Sequence, residues 1–188
     1  CTGLTACSDN TSAEQFPHNK SYGDFKLRDQ LVYCGKKLIQ QANASQFKYI
    51  GSHYINYETI HYAKDNKYVY TCDVRKPTIF SPAKNNEIIL TTLKGIDLDN
   101  FVLLEKGYAK DTRTLFYGSK IVVGANPINF KILKNYYQAY VFDGKHIYHD
   151  NKKLSVKYPT NFRLLGGIFA TDNHHVYANR TRISINPH

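Results

Sequence analysis

Four aspartates recur at one place in a repeated pattern. Asp65, Asp111, Asp143 and Asp172 each stand four residues before an apolar–aromatic pair: Val69-Tyr70, Leu115-Phe116, Ile147-Tyr148 and Val176-Tyr177. Carboxylates gathered by a fold can serve as general acid and base or hold a cation. The local alternative is that an Asp followed by Asn-Lys, Thr-Arg, Gly-Lys or Asn-His caps a turn, its carboxylate accepting backbone N–H bonds. Recurrence in copy after copy favours the cap. Histidines add no metal site: His146 and His149 face opposite sides of a strand, and His174 and His175 are neighbours in a turn. No Gly-x-Ser-x-Gly, His-Glu-x-x-His or phosphate-cradling glycine loop occurs. The expectation is a protein with no catalytic residues, no metal and no cofactor; an enzyme built on the repeated Asp residues is kept as the last alternative.

The elements that position these residues are strands. An aromatic residue lies three positions before each Asp (Tyr62, Tyr108, Tyr140, Phe169), and a worn first copy has Phe25, Arg28 in the Asp place, and Val32-Tyr33. Fourteen residues after the pair's aromatic, a Phe opens a short apolar run: Phe47, Phe130 and Phe162, with Phe101 in the same set. Alternating apolar and aromatic residues between turn clusters predict about three short strands per unit. One unit cannot bury both faces, so neighbours must stack or close on one another. The predicted fold is all-β: a tandem array of about four to five hairpin or meander repeats, solenoid- or propeller-like, with residues 1–20 a signal-peptide remnant and tether and 21–188 one repeat domain. The spacing breaks once: 31 residues separate Tyr70 from Phe101, an excess of 17. This insertion, at about residues 75–96, is the candidate binding region, with Arg75, Lys76, Phe80 and Lys84 as candidate contacts. Its Glu87–Leu93 run reads as an extra strand.

The chain has 16 Tyr, 10 Phe, no Trp and no Met, and carries a net charge of +10. Residues 1–20 hold Asp9, Glu14 and Lys20, net −1, so the remainder carries +11. Such a field favours anionic partners. Basic residues interleaved with Tyr fit packed strands with a polar outer face better than nucleic-acid stacking. Leu4-Thr5-Ala6-Cys7 looks like a lipobox, which makes Cys7 the expected lipidated residue and Cys1 the alternative; paired acyl chains give stable anchoring. Cys34 and Cys72 follow the Val-Tyr pairs of neighbouring copies and form a possible disulfide. They differ by one position relative to those pairs, which turns their side chains to opposite faces if the strands lie side by side.

The segments Tyr108-Ala109-Lys110-Asp111 and Tyr62-Ala63-Lys64-Asp65-Asn66-Lys67-Tyr68 resemble the DKNYYW repeat family of bacterial proteins. The resemblance spans roughly residues 22–188 and departs at the Trp position. It implies an exported or lipoprotein-like protein and carries over no catalytic residues. The expected function is that of an envelope lipoprotein, outer-membrane anchored and facing the periplasm or cell surface, that binds a protein partner. One form is an immunity protein neutralising a periplasmic toxin; the alternative is a module for anionic glycan or lipid.

Overall fold

A computed structural model describes residues 20–55, 58–75, 87–135 and 139–183. It holds five antiparallel sheets of four strands, each in simple up-and-down order. The first sheet is β1 (Lys20–Tyr22), β2 (Phe25–Arg28), β3 (Leu31–Cys34) and β4 (Lys37–Leu38). The second is β5 (Lys48–Ile55), β6 (Glu58–Lys64), β7 (Val69–Arg75) and β8 (Glu87–Leu93). The third is β9 (Val102–Leu103), β10 (Tyr108–Lys110), β11 (Leu115–Tyr117) and β12 (Lys120–Ile121). The fourth is β13 (Lys131–Lys134), β14 (Ala139–Phe142), β15 (Ile147–His149) and β16 (Lys152–Lys153). The fifth is β17 (Arg163–Gly166), β18 (Phe169–Thr171), β19 (Val176–Ala178) and β20 (Thr181–Ile183).

Each unit therefore has four strands, not three, because a further strand follows the Val-Tyr hairpin, two or three residues long in every sheet but the second. The apolar run that a Phe opens belongs to the next sheet, as its first strand. The Glu87–Leu93 run is the fourth strand of the second sheet and not a fifth one. Register places the insertion: Tyr70 pairs with Thr92, 22 residues on, whereas Phe116 pairs with Ile121, 5 residues on. All 17 extra residues thus lie inside the β7–β8 hairpin.

The period of two decides which sheets touch. The apolar member of each pair faces the next sheet, and its aromatic faces the previous one. Val32, Phe25 and Cys34 of the first sheet meet Tyr70, Ala63 and Cys72 of the second. Val69 and Tyr62 meet Phe116 and Ala109. Leu115 and Tyr108 meet Tyr148 and Val141, and Ile147 and Tyr140 meet Tyr177 and Ala170. Small residues (Ala63, Ala109, Ala170) sit opposite large rings, so the faces interlock. Among the described residues no core cluster joins the first sheet to the fifth. The last sheet's outer face is correspondingly open: Phe169 is 44% exposed, while its counterpart Tyr140 is 0%. The same stacking explains the disulfide between Cys34 and Cys72, whose Cα atoms are 5.6 Å apart. Sheets that face one another need side chains on opposite strand faces, so the one-position offset between the cysteines brings them together.

Candidate functional site

The two ends of each strand are built differently. At one end lie the turns between second and third strands, which carry the repeated aspartates. Asp143 is typical: one carboxylate oxygen accepts the N–H groups of Lys145 at 2.9 Å and His146 at 2.6 Å. The other accepts the Tyr148 hydroxyl at 3.1 Å and the Asn126 N–H, from the preceding linker, at 3.4 Å. Asp65 binds Lys67, Tyr68, Tyr70 and Asn43 in the same way. Asp172 binds His174, His175, Tyr177 and Tyr158. Asp111 holds Arg113, Thr114 and Asp97 but has Phe116 in place of the tyrosine. Each carboxylate thus closes a turn and clasps the linker from the previous sheet, and three of the four also anchor a buried ring. The first sheet has Arg28 where the other four have the aspartate. Its hairpin turns instead through Asp29 and Gln30, both with positive φ (48° and 61°), as a primed two-residue turn requires.

Burial alone would raise the pKa of Asp65, Asp143 and Asp172; their hydrogen bonds outweigh it and hold all three below the ordinary carboxylate range. A carboxylate whose acceptor sites are already taken is a poor proton acceptor or metal ligand. Among the described residues no group of three His, Cys, Asp or Glu side chains comes together to hold a metal ion. His146 lies 3.6 Å from Asp143 and His175 lies 3.1 Å from Asp172, each within its own turn.

The opposite end carries the turns that join strands one to two and three to four. Here both hairpins of the second sheet are long: β5 and β6 have 8 and 7 residues, β7 and β8 have 7 each, while β10 and β11 have 3. The second sheet therefore outruns its neighbours, and part of its face projects past their strands. Against that face come the three-to-four turns of the third, fourth and fifth sheets, enclosing a cleft of about 500 Å³. Ile55, Ile60 and Ile89 form its apolar part, and Lys120, Asp150, Lys152 and Arg180 come from the turns.

Arg75 lines the cleft on the second sheet. Its guanidinium is 2.6 Å from Glu58, 2.9 Å from Asp73 and 3.7 Å from Glu87. Partial burial lowers its pKa, and the three carboxylates more than offset this, so the cation is firmly held. Behind the turns, burial and then the negative charge of Asp150 raise the pKa of the Tyr108, Tyr117 and Tyr140 phenols, the last to about 12. Burial lowers the pKa of His149, with Asp150 opposing it and Arg180 adding to it. Nearby His53 is likewise lowered by burial; its Nε2 lies 2.8 Å from the Leu104 carbonyl oxygen.

Of the residues singled out in the sequence, Arg75 lies in the cleft. Lys76, Phe80, Lys84, Cys1 and Cys7 lie outside the described residues. Lys120, Lys152 and Arg180 carry no signal in the sequence, because each sits alone in a polar turn far from the others along the chain.

Five successive sheets joined by one recurring carboxylate clasp define a tandem β-repeat protein. The chain matches the DKNYY family model over residues 18–152, and it belongs to that family. The fifth sheet lies beyond the matched span yet keeps the clasp at Asp172 and Tyr177. No curated protein and no solved structure matches the chain.

Proposed function

We propose that this is a non-enzymatic protein-recognition module of the bacterial cell envelope, which meets its partner with the hairpin end. The observation that carries the reading is the single break in the repeat. All 17 added residues fall between Tyr70 and Thr92, and the strands β7 and β8 that flank them line a cleft to which four sheets contribute. Added length on an otherwise regular scaffold concentrates at contact surfaces. The Cys34–Cys72 bridge suits an oxidising compartment, and a lipid on Cys7, or on Cys1, would hold the array at a membrane surface, outer membrane included. An immunity protein that occludes a periplasmic toxin is the specific form that such a rigid, tethered surface suits. The second reading, retention on anionic glycan or lipid, draws on the net charge of +10.

Affinity capture from envelope extract separates the two. The full chain should retain a stoichiometric protein, and replacing residues 76–86 by Asn-Gly should abolish that retention while the disulfide and fold persist. Retention only on glycan or lipid, reversed by salt, speaks for the second reading and against the first. Mass spectrometry of membrane-extracted protein should find an acylated N-terminal cysteine; an unmodified soluble chain refutes the anchor.

A further inference from the structure

We propose that the cleft receives an acidic, aliphatic peptide segment of the protein partner, its carboxylates set on Lys120, Lys152 and Arg180 and its apolar side chains on Ile55, Ile60 and Ile89. The proposal rests on the protein-recognition reading and names the chemistry of the contact.

The charges in the cleft are segregated. On the second-sheet wall Arg75 is matched by Glu58, Asp73 and Glu87, so that side is acidic overall and its cation is already engaged. On the turn wall stand Lys120, Lys152 and Arg180 with one carboxylate, Asp150. None of the ion pairs among the described residues includes any of those three cations. Asp150 has His149 beside it at 3.5 Å, and its charge also acts on the Tyr117 phenol, whose pKa it helps to raise after burial. Three cations of one sign in a concave site attract an anionic group and set its direction of entry.

The opposite wall decides which kind of anion fits. A uniformly charged polyanion would lie against Glu58 and Asp73 as well as against the lysines, and its far side would be repelled. A peptide can put carboxylates on one side and apolar groups on the other, which matches basic turns facing isoleucines. A volume of about 500 Å³ is in the range of sites that hold a small ligand or a short stretch of chain. The apolar lining is aliphatic, with Tyr117 its one aromatic ring, whereas an unspecific strand of sugars or bases is gripped by stacked aromatic platforms.

The test uses the full chain and a labelled peptide of alternating Glu and Leu. Binding should shift the amide NMR signals of Gly118, Asn151 and Arg180. The triple reversal Lys120→Glu, Lys152→Glu, Arg180→Glu should weaken it about tenfold or more, as expected when three solvated ion pairs with the peptide are removed at once. The control is Lys67→Glu, Arg113→Glu, Lys145→Glu, three exposed positions two residues after the clasp aspartates, which should leave affinity within about twofold. All six side chains are exposed, so an unchanged melting temperature verifies folding. Equal weakening by both triples overturns the site, since a diffuse field then suffices. An oligogalacturonate that binds more tightly than the peptide and is lost in the cleft triple overturns the peptide in favour of an acidic glycan. A captured envelope partner whose binding survives the cleft triple removes the cleft assignment and leaves protein recognition standing. A peptide that binds as described while no protein is captured supports the chemistry and removes the recognition reading.

Discussion

The aspartate end and the hairpin end of this array are made from the same strands and solve different problems. At the aspartate end the chain repeats itself, and each carboxylate is used up within the molecule: Asp65, Asp143 and Asp172 each accept at least four hydrogen bonds from turn, ring and linker. At the hairpin end the repeat is broken, a cleft opens, and Lys120, Lys152 and Arg180 take no part in the ion pairs among the described residues. Repetition therefore marks structure here, and departure from repetition marks the surface available to something else. A residue type with catalytic potential that appears four times in near-identical surroundings is most simply a fastener.

That contrast is open to attack in order of effect. The first junction is fastened by the disulfide as well as by Asp65. Replacing both Cys34 and Cys72 by Ser should cost about 4 kcal/mol in denaturant melts, from a closed loop spanning 38 residues. A cost near zero would mean that the clasp alone holds these sheets. Asp143→Ala leaves the Tyr148 hydroxyl and three backbone N–H groups without their acceptor. It should cost about 3 kcal/mol, whereas alanine at exposed Lys120 should stay within about 0.5 kcal/mol. Equal losses at the two positions would erase the distinction between the ends.

The same clasp sets the response to acid. Asp65, Asp143 and Asp172 have folded-state pKa values below their unfolded ones. Their stabilisation is complete above the unfolded carboxylate pKa of about 4 and is lost as pH falls through the folded values. His53 and His149, lowered by burial, also favour the folded state at neutral pH and start to withdraw that support below about 6.5. Melts against pH should show both steps, and Asp172→Asn should flatten the lower one. A stability that rises on acidification would contradict the assignment. The smallest effect is the most local. Tyr148→Phe should cost about 1 kcal/mol, and Phe116→Tyr, which supplies the hydroxyl that Asp111 lacks, should gain up to about 1 kcal/mol. A large loss on Phe116→Tyr would mean that the third sheet's ring is held by packing too tight to admit an oxygen.

Much of the aspartate end was legible because hairpins are local. The period of two in Tyr68-Val69-Tyr70 and the turn chemistry of Asp143-Gly144-Lys145 each declare themselves within a few residues. The fourth strands were not legible: Lys37–Leu38, Lys120–Ile121 and Lys152–Lys153 are two residues long and carry no alternation. Glu87–Leu93 reads as an addition because it is far longer than the fourth strands of the other sheets, although it occupies the place of Lys120–Ile121. The one-residue offset between Cys34 and Cys72 opposes a bridge between strands paired side by side and favours one between sheets stacked face to face, and which of the two applies is settled only by the stacking. Most of the cleft lies beyond reach, since Lys120, Lys152 and Arg180 meet only once three sheets have stacked; of its lining, the sequence singles out Arg75 at the edge of the insertion. The cleft's trace in the sequence is the 31-residue gap between Tyr70 and Phe101.

Recognition at the hairpin end stands most directly on one paired measurement. The cleft triple variant and the Lys67, Arg113, Lys145 triple variant carry the same change of charge at opposite ends, and each is used to capture the partner from envelope extract. Capture lost with the first and kept with the second is the expected result. Capture kept with the first, or lost with both, would contradict the assignment of recognition to the hairpin end.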